Sequence, residues 1–278
     1  MKTLEGKTAL VTGGTDGVGR LVAQRLGAAG ARVLVHGRNA PRGEEVVARI
    51  QARGGSATFL PANLASLAAV RELAEAVQQE TDRLALLINN AGVGSGRHGA
   101  PRETSADGHE LRFAVNYLSG FLLTRVLLPV MMAEASSRIV NVASVGQHPI
   151  DFDDVMLIHG YDGMRAYAQS KLAQIMFTFD LADELDGSGI TANCLHPATF
   201  MNTTMVREAG VSPWSTVEEG ADAILNLAVS PTLEGRTGLY FDGLRESRAN
   251  DQAYDSKARQ RLRDLSLRLT GPRSRPGA

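Results

Sequence analysis

The chain has 278 residues, of which 44% are hydrophobic and 21% charged, and its formal net charge is -1. This length and composition fit one large α/β domain, and the near-zero charge argues against nucleic acid or an anionic membrane surface as a partner. A single cysteine, Cys194, excludes an internal disulfide. The N-terminus lacks an apolar signal region, and no run approaches the roughly 18 apolar residues of a membrane helix. We therefore expect a cytoplasmic protein without a membrane-spanning segment.

Short, β-rich apolar runs alternate along the chain with longer amphipathic stretches, which is typical of a parallel sheet with helical crossovers. The predicted strands are 8–12, 31–36, 57–61, 84–89, 138–144, 190–195 and 238–243. Helices are predicted after the first strand, around the apolar stripe of 64–77, and at 107–134, 165–186 and 216–229. Thr216 and Glu219 have the spacing of a capping box. The pattern predicts an α/β fold with a single-domain doubly wound parallel sheet of about seven strands and helices on both faces.

Several glycines follow the first predicted strand, in the sequence "TGGTDGVG". Gly13, Gly17 and Gly19 precede the first predicted helix. Glycines at such a junction permit positive φ and let backbone amides approach an anion at the helix N-terminus. We interpret the loop as a pyrophosphate site, the alternative being an ordinary tight turn. Asp16 lies within the loop and would oppose a nearby phosphate.

The second strand ends in a basic sequence. His36, Gly37, Arg38 and Asn39 stand where an acidic residue would bind the adenosine ribose of NAD. An arginine there favours the 2′-phosphate of NADP, so NADP(H) is the favoured cofactor and NAD(H) stays possible. Arg38 as a solvated loop cation is the alternative reading, and Arg42 is a second candidate for the phosphate.

A tyrosine and a lysine stand four positions apart in "YAQSK". Tyr167 and Lys171 share one helical face at this spacing. Bringing a tyrosine pKa from about 10 to about 7 takes roughly 4 kcal/mol, and a cation about 5 Å away supplies roughly 3 kcal/mol at an effective dielectric near 20. The pair is suited to acid/base catalysis between a hydroxyl and a carbonyl. Taken alone, such a pair also arises by chance on many helices.

Three further polar positions accompany this pair. Ser144 ends a strand and either bonds a substrate oxygen or merely stabilises a turn. Asn116 lies in an apolar helical stretch, as a functional amide or as a satisfied core residue. "NNAG" at 89–92 is either a polar turn or backbone on the cofactor side.

Taken together, TGGTDGVG, NNAG, Asn116, Ser144 and the Tyr167–Lys171 pair resemble the short-chain dehydrogenase/reductase family over about residues 5 to 245. The stretch at 150–185, "LHP" at 195–197 and "TGLYFDG" at 237–243 are similar to its branch of retinol dehydrogenase-like and WW-domain oxidoreductase-like proteins. The resemblance implies a Rossmann-type catalytic domain at 1–270 and a homodimer or homotetramer. The composition of the tail at 271–278, "GPRSRPGA", predicts disorder.

The resemblance also implies the role of each site residue. Tyr167 would transfer the proton, and Lys171 would lower its pKa and bind the nicotinamide ribose. Ser144 would hold the substrate oxygen, and Asn116 would organise a proton-relay water. The cofactor-binding residues implied are Gly13, Thr15, Gly17, Val18, Gly19, Arg38, Asn63, Leu64, Asn90, Ala91, Gly92, Tyr167, Lys171, Pro197 and Thr199.

Four positions depart from the pattern of the family. Asp16 replaces a neutral or basic residue, and Asn63 stands where an aspartate commonly meets the adenine. Ala143 replaces the first serine of a common pair, and Ala198 replaces a glycine after Pro197. The first two bear on cofactor affinity and preference, while the catalytic groups are all retained.

The lid segment, residues 196–215, follows the sixth strand and contains adaptable apolar side chains, which favour a lipophilic substrate or else pack against the domain. The acidic and histidine residues between Ser144 and Tyr167 are irregularly spaced, so we predict a polar loop and no metal site. We predict an NADP(H)-dependent oxidoreductase that interconverts a carbonyl and an alcohol on a lipophilic small molecule. The alternatives are a nucleotide-binding redox sensor without turnover, and a lyase or isomerase using the same tyrosine.

Overall fold

The computed structural model describes residues 4–208 and 210–271, except the side chains of Met205 and Glu208. The predicted tail at 271–278 therefore lies, apart from Gly271, outside the described residues. The strands are β1 Thr8–Val11, β2 Arg32–Gly37, β3 Ser56–Pro61, β4 Leu86–Asn89, β5 Ser137–Val142, β6 Ile190–His196, β7 Tyr240–Asp242 and β8 Arg245–Glu246. The α-helices are α1 Gly17–Ala28, α2 Ala40–Gln51, α3 Leu67–Glu80, α4 Ser119–Met132, α5 Gly163–Glu184, α6 Thr204–Glu208, α7 Val217–Val229 and α8 Ser256–Thr270.

The strands form one sheet in the order β3-β2-β1-β4-β5-β6-β7-β8. Every pair is parallel except β7 with β8. The predicted doubly wound α/β sheet is confirmed, but the number of strands is eight rather than about seven. The chain turns back at Gly243, which takes a φ of +58°, and the two-residue strand β8 pairs antiparallel with β7. Two exposed charged residues, Arg245 and Glu246, carry no apolar signal by which the sequence could have revealed β8.

Both faces of the sheet are buried, and alternate residues of each strand belong to different cores. Leu10 is in register with Leu34 and Leu87, and all three lie in the core that contains α3, α4 and α5. The next residue, Val11, lies in the core that contains α1, α2 and α7. This two-sided burial explains why the strands read as continuous apolar runs.

The predicted helix at 107–134 begins later than expected. Residues Phe113–Leu118 form a π-helical turn that leads directly into α4. Phe113–Met132 is also the one stretch within the described residues that is long and apolar enough to cross a membrane by length and composition, with a mean hydropathy of 1.5. The expectation that no such run exists is therefore wrong. Packing explains its composition, because 61% of it is buried inside the fold.

The C-terminal helix α8 was not predicted. Its sequence is rich in charge, and its buried residues, Ala258, Leu262, Ser266 and Thr270, are mostly small or polar. Ion pairs of Arg259 and Arg263 with Asp183 and Asp180, together with a 2.6 Å hydrogen bond between Tyr117 and Ser266 hydroxyls, attach it to α5 and the π-helical turn. By contrast, the predicted capping box at the start of α7 is confirmed.

Candidate active site

The predicted site residues gather at the carboxyl ends of the central strands, which is where doubly wound sheets bind ligands. The loops after β1, β4, β5 and β6 carry the glycine motif, NNAG, Ser144 and Pro197 respectively. Two further elements, the π-helical turn and α5, bring Asn116, Tyr167 and Lys171 to the same edge. Residues that are far apart in sequence therefore converge through the sheet order.

The glycine loop requires glycine at the predicted positions. Gly13 and Gly17 have positive φ values of +65° and +51°. A Cβ on Gly19 would lie 2.3 Å from the Gly13 carbonyl oxygen and 2.4 Å from Asn90 Nδ2, and one on Gly13 would lie 2.9 Å from Ala91 Cα. The first-turn amides of α1, including Val18 and Gly19, have no intrahelical acceptor and add the partial positive charge of a helix N-terminus. This loop fits a pyrophosphate group.

Asp16 caps α1 and links three parts of the site. Its carboxylate accepts hydrogen bonds from Gly17 N (2.8 Å) and Thr204 Oγ1 (2.8 Å), and it pairs with Arg42 at 3.2 Å. Burial alone would raise the pKa of Asp16, but the hydrogen bonds from Thr204 and Gly17 and the nearby arginines outweigh it and lower the pKa. The negative charge in the loop is thus compensated by its own neighbours.

Arg38 and Arg42 differ in their surroundings. Arg38 is exposed at the end of β2 and forms neither a hydrogen bond nor an ion pair with any residue that the structure describes. Arg42 lies in the first turn of α2, where Asn39 caps the helix, and is paired with Asp16. Of the two candidates for an adenosine 2′-phosphate, Arg38 is therefore the side chain that is not committed to another group.

His36 is a site residue that the sequence reading missed. Its Nδ1 accepts from Gly13 N (3.2 Å), and its Nε2 lies 3.2 Å from the Ala62 carbonyl, to which the neutral imidazole donates. Its own carbonyl accepts from Gly14 N at 2.9 Å. Burial lowers the pKa of His36 to about 4, against a smaller opposing effect of the bond to Ala62. A neutral histidine thus fixes the glycine loop to β2 and to the loop after β3.

Thr12 was likewise missed, although it ends the first predicted strand. Its hydroxyl oxygen accepts from Asn90 N (2.9 Å) and Ala91 N (3.0 Å), while Asn90 Nδ2 donates to the Thr12 carbonyl at 2.9 Å. These bonds fasten NNAG to the glycine loop. Thr15, whose methyl group would lie 2.4 Å from a Cβ on Gly37, packs over the end of β2.

The remaining predicted cofactor residues lie around this edge. Asn63 is exposed in the turn after β3 and accepts from Ala65 N at 3.1 Å, and Leu64 beside it is buried. On the other side, Pro197 follows β6, and Thr199 Oγ1 lies 3.0 Å from His196 Nε2. Gly92 permits a close approach, because a Cβ there would lie 3.2 Å from Asn116 Oδ1 and 3.7 Å from Lys171 Nζ.

Asn116 is a buried amide in the π-helical turn, with all of its polar atoms bonded. Oδ1 accepts from Val93 N (2.7 Å), and Nδ2 donates to the Val93 carbonyl (3.1 Å) and to Ser170 Oγ (2.9 Å). Ser170 in turn donates to the Tyr167 carbonyl at 2.7 Å. The amide therefore joins the loop after NNAG to the turn of α5 that carries the tyrosine.

Ser144 is held from several sides at the end of β5. Its hydroxyl oxygen accepts from Gly146 N (3.0 Å), and its carbonyl accepts from Gln147 Nε2 (3.0 Å) and Tyr240 Oη (3.2 Å). A Cβ on Gly146 would lie 3.4 Å from Ser144 Oγ and 3.8 Å from a ring carbon of Tyr167. The serine hydroxyl and the tyrosine ring therefore border the same small space.

Tyr167 and Lys171 share one face of α5, as their spacing predicts. Lys171 Nζ lies 5.8 Å from the centroid of the Tyr167 ring and donates to the Val142 carbonyl (2.8 Å) and to Gln174 Oε1 (2.9 Å). Burial raises the pKa of Tyr167, with a hydrogen bond from Ser144 opposing it, and lowers the pKa of Lys171 to about 7. Burial thus acts on both groups against the shift that their spacing predicts, because it disfavours the charged form of each.

The two aromatic residues of the lid segment, Phe200 and Trp214, are more exposed than the predicted catalytic residues Asn116, Ser144 and Lys171. Phe200 has a positive φ of +45°, and Trp214 is 76% exposed. The two rings meet edge to face with centroids 5.3 Å apart, and Trp214 N donates to the Phe200 carbonyl. Met201 packs on α7, because a Cβ on Gly220 would lie 2.2 Å from its sulfur. The lid segment therefore presents two aromatic rings to its surroundings.

Acidic side chains of the loop between Ser144 and Tyr167 stabilise its turns. Asp154 accepts from Ile158 N and His159 N, Asp162 caps α5, and Asp151 pairs with Arg165 at 3.0 Å. No group of three histidine, cysteine or acidic residues suited to a metal ion occurs in the part of the chain that is described.

Known proteins are similar to this chain over most of its length. A family model described as short chain dehydrogenase matches residues 7–212. The mouse protein Retinol dehydrogenase 13 is 37% identical over 97% of this chain and 85% of its own length. Mouse Polyprenol dehydrogenase is 39% identical over 96% of this chain and 84% of its own length.

A solved structure extends the comparison to the nucleotide. A Pseudomonas aeruginosa protein, RhlG in an active-site complex with NADP, superposes with a TM-score of 0.70 at 31% identity. The match covers 87% of this chain and 96% of that one.

Proposed function

This chain belongs to the retinol dehydrogenase-like branch of the short-chain dehydrogenase/reductase family and is an NAD(P)-dependent alcohol dehydrogenase/carbonyl reductase, and from this premise we propose that it uses NADP(H) on a lipophilic small molecule. The observation that carries the oxidoreductase chemistry is the convergence of Ser144, Tyr167 and Lys171 beside a glycine loop in which Gly13 and Gly19 leave no room for a Cβ.

In this proposal the chain's own groups manage the substrate oxygen and its proton. Ser144 Oγ donates to the carbonyl oxygen, and Tyr167 Oη gives that oxygen its proton during reduction and removes it during oxidation. Lys171 supplies positive charge 5.8 Å from the centroid of the Tyr167 ring. Asn116 joins the loop after NNAG to α5 by hydrogen bonds. NADP(H), when bound, supplies or accepts the hydride at the carbonyl carbon.

The preference for NADP(H) rests on Arg38. An exposed, uncommitted guanidinium at the end of β2 suits a phosphate, and no acidic residue stands at 36–39 to bind a ribose diol. A charged hydrogen bond of this kind contributes roughly 1.5–3 kcal/mol, or about 10- to 150-fold in affinity. The active-site complex of the similar protein RhlG with NADP supports the proposed preference of this chain.

Titrations of NADPH and NADH test this preference. Arg38→Ala should weaken NADPH binding by roughly tenfold or more and leave NADH binding unchanged. Arg53→Ala is the matched control, because Arg53 is an exposed arginine beyond the other end of α2. An equal loss for both nucleotides, or tighter binding of NADH by the wild type, would refute the NADP proposal and leave the reductase assignment intact.

A lipophilic substrate is supported by the apolar surface of the lid segment and by relatives named for retinol and polyprenol. We expect kcat/KM to rise along a series from hexanal to retinaldehyde to a polyprenyl aldehyde. A flat series would remove the lipophilic proposal. NADPH binding without turnover would favour the sensor alternative, and substrate conversion without net cofactor oxidation would favour a lyase or isomerase.

We propose a cytoplasmic homodimer or homotetramer without a membrane-spanning segment, with residues 1–270 as one catalytic domain. The burial of Phe113–Met132 within the fold supports a core helix rather than a span. Since α8 covers one face of α5 through Arg259, Arg263 and Leu262, an interface between copies would use other surfaces. Light scattering of the full chain, with and without vesicles, tests both the stoichiometry and the absence of membrane binding.

A further inference from the structure

Lys171 has an unusual second partner for a buried lysine. Its ammonium donates to the Val142 carbonyl, which belongs to the fixed end of β5, and to the side chain of Gln174, one turn later on α5. The spacing of three residues places Lys171 and Gln174 on the same helical face. Lys171 is 5% exposed and Gln174 4% exposed, so water does not compete freely for this bond.

Gln174 is itself connected to a buried polar network. Its main-chain carbonyl accepts from Thr178 Oγ1 (2.7 Å), which accepts from Asn141 Nδ2 (2.8 Å). Asn141 Oδ1 accepts from Asn89 Nδ2 at 2.9 Å. The network therefore runs from the turn of α5 that follows the lysine to the strands β5 and β4.

The orientation of the Gln174 amide follows from its neighbours. An ammonium group needs an acceptor, so Oε1 faces Lys171 and the amide NH₂ is left for the other side. Gln174 also lines a cavity of about 10 Å³ together with Asn89 and Asn116. Asn89 Oδ1 is a buried acceptor without a partner among the described residues. The cavity is about large enough for one water, which would accept from Gln174 and donate to Asn89.

We propose that Gln174 is a positioning residue for Lys171: its amide oxygen fixes the ammonium group against β5 and keeps it protonated in a buried site. A lysine side chain has several rotatable bonds, and two fixed acceptors select one conformation. Acceptor bonds also favour the charged form, against the burial that lowers the pKa of Lys171. The proposal rests on the role proposed for Lys171 in catalysis.

Other titratable groups face this lysine from two elements. Tyr167 lies on the same helix, and His196 ends β6 and interacts with the charge of Lys171. Asp242 on β7 faces His196. None of these groups is hydrogen-bonded to Gln174 in the described structure, so replacing the glutamine changes the surroundings of Lys171 without removing another charge.

NMR titration of the lysine side chains tests the proposal without any turnover. The chain has four lysines, Lys2, Lys7, Lys171 and Lys257, so protein labelled with ¹³C at lysine Cε gives four signals, and Lys171→Arg identifies the one of interest. Gln174→Leu should lower the pKa of Lys171 by roughly one to two pH units, and Gln174→Glu should raise it. Gln174→Asn should lie nearer the wild type than the leucine variant.

Gln169 provides the matched control. It is a buried glutamine on the same helix that bonds Asp151 N and the Val155 carbonyl instead of the lysine. Gln169→Leu should leave the pKa of Lys171 unchanged. An unchanged pKa in both the leucine and glutamate variants of Gln174, or an equal change in Gln169→Leu, would overturn the proposal. If Gln174→Glu is the only Gln174 variant that folds, the pKa of Lys171 in that variant alone decides the test.

Steady-state kinetics separates this proposal from the proposed function. If the lysine is required as a cation, the loss of kcat/KM at high pH should occur at lower pH in Gln174→Leu and at higher pH in Gln174→Glu. A protein with the expected lysine titrations but no carbonyl turnover would retain the positioning role and refute the proposed function. Turnover together with an unchanged pKa of Lys171 in the Gln174 variants would refute the positioning role and retain the proposed function.

Discussion

The proposed catalytic centre, Asn116, Ser144, Tyr167 and Lys171, and the lid segment are built differently. In the proposed centre, three of the four residues are less than 9% exposed. Helical turns hold Asn116, Tyr167 and Lys171, and hydrogen bonds to its carbonyl hold Ser144 just beyond β5. The lid segment has a five-residue helix, a residue at positive φ and a tryptophan that is 76% exposed. The proposed chemistry thus lies in the more rigid part, and the proposed substrate contact in the more exposed part.

Tyr167→Phe should have the largest effect of any single substitution in this comparison. Removing the proton-transfer hydroxyl should lower kcat by roughly 10²- to 10⁴-fold. NADPH affinity and thermal stability should change little, because the ring is kept and Ser144 retains its bond from Gly146. Turnover, nucleotide titration and thermal unfolding of the same preparation check these three outcomes.

Tyr161→Phe is the matched control for the tyrosine. Tyr161 lies in the loop before α5, outside the proposed catalytic centre, and its hydroxyl donates to Glu110 at 3.3 Å. Its loss should leave kcat within a few-fold of the wild type. Turnover in Tyr167→Phe within tenfold of the wild type would remove the tyrosine from proton transfer.

His36 gives the glycine loop a specific sensitivity to acid. The unfolded chain binds a proton at this histidine below about pH 6.5, whereas the folded protein keeps it neutral down to about pH 4. More protons are then bound in the unfolded state, so stability is lost as the pH falls through this window, by about 3 kcal/mol in all. The protonated ring would also point a second donor at Gly13 N.

His36→Asn should remove this part of the acid sensitivity, because asparagine does not titrate. The free energy of unfolding of wild type and variant, measured by denaturant between pH 6.5 and pH 4, should converge as the pH falls. His98→Asn is the control, since His98 is exposed. Parallel curves for wild type and His36→Asn would contradict the buried neutral state.

Gly19→Ala tests how little space the glycine loop has. The new Cβ would meet the Gly13 carbonyl at 2.3 Å, which must displace the loop. Overpacking of this kind costs about 1–3 kcal/mol, which corresponds to roughly 5- to 150-fold in NADPH affinity if the displaced loop is the nucleotide site. Titration of NADPH measures the loss.

Gly120→Ala is the corresponding substitution with room for the methyl group. A Cβ at that helical position has its nearest neighbour, Asn89 Cγ, at 3.5 Å, an ordinary contact. The variant should bind NADPH like the wild type and be as stable or slightly more so. Unchanged NADPH affinity in Gly19→Ala would show that the nucleotide does not use this loop.

The contrast also explains what could be predicted from the sequence. The glycine loop, NNAG and the Tyr167–Lys171 pair are local patterns whose spacing follows from a strand-to-helix turn or from one helical face, and the structure places them at one edge. The roles of Thr12 and His36 were not predicted. Each acts through hydrogen bonds to other strands and loops, which only the sheet order brings near. The antiparallel β8 and the charged α8 carry too little apolar pattern to be recognised.

The pKa of Tyr167 shows a second limit of sequence reasoning. The spacing correctly placed a lysine near the phenol, but it did not show that both groups would be buried. Burial raises the pKa of the phenol and lowers that of the ammonium, so the same environment that removes competing water also opposes the intended shift. Only the three-dimensional surroundings decide this balance.

Trp214→Ala in the lid segment should have the smallest effect on the fold and a selective one on substrate. The side chain is largely exposed, so the free energy of unfolding should change by no more than about 0.5 kcal/mol. Loss of the ring beside Phe200 removes apolar contact area, so KM should rise several-fold for retinaldehyde and little for hexanal, with kcat nearly constant. Met132→Ala replaces an exposed apolar residue at the end of α4 and should change neither the free energy of unfolding nor KM.

The lid can also be observed directly, because Trp214 is the sole tryptophan of the chain. If it contacts the substrate, addition of a lipophilic alcohol should change its fluorescence in the wild type and in Tyr167→Phe alike, since binding precedes proton transfer. A response that depends on the hydroxyl of Tyr167 would instead couple the lid to the catalytic centre. If lipophilic ligands leave the fluorescence of Trp214 unchanged, and KM is unchanged in Trp214→Ala, the lid segment has only a packing role. Substrate selectivity would then depend on the buried residues.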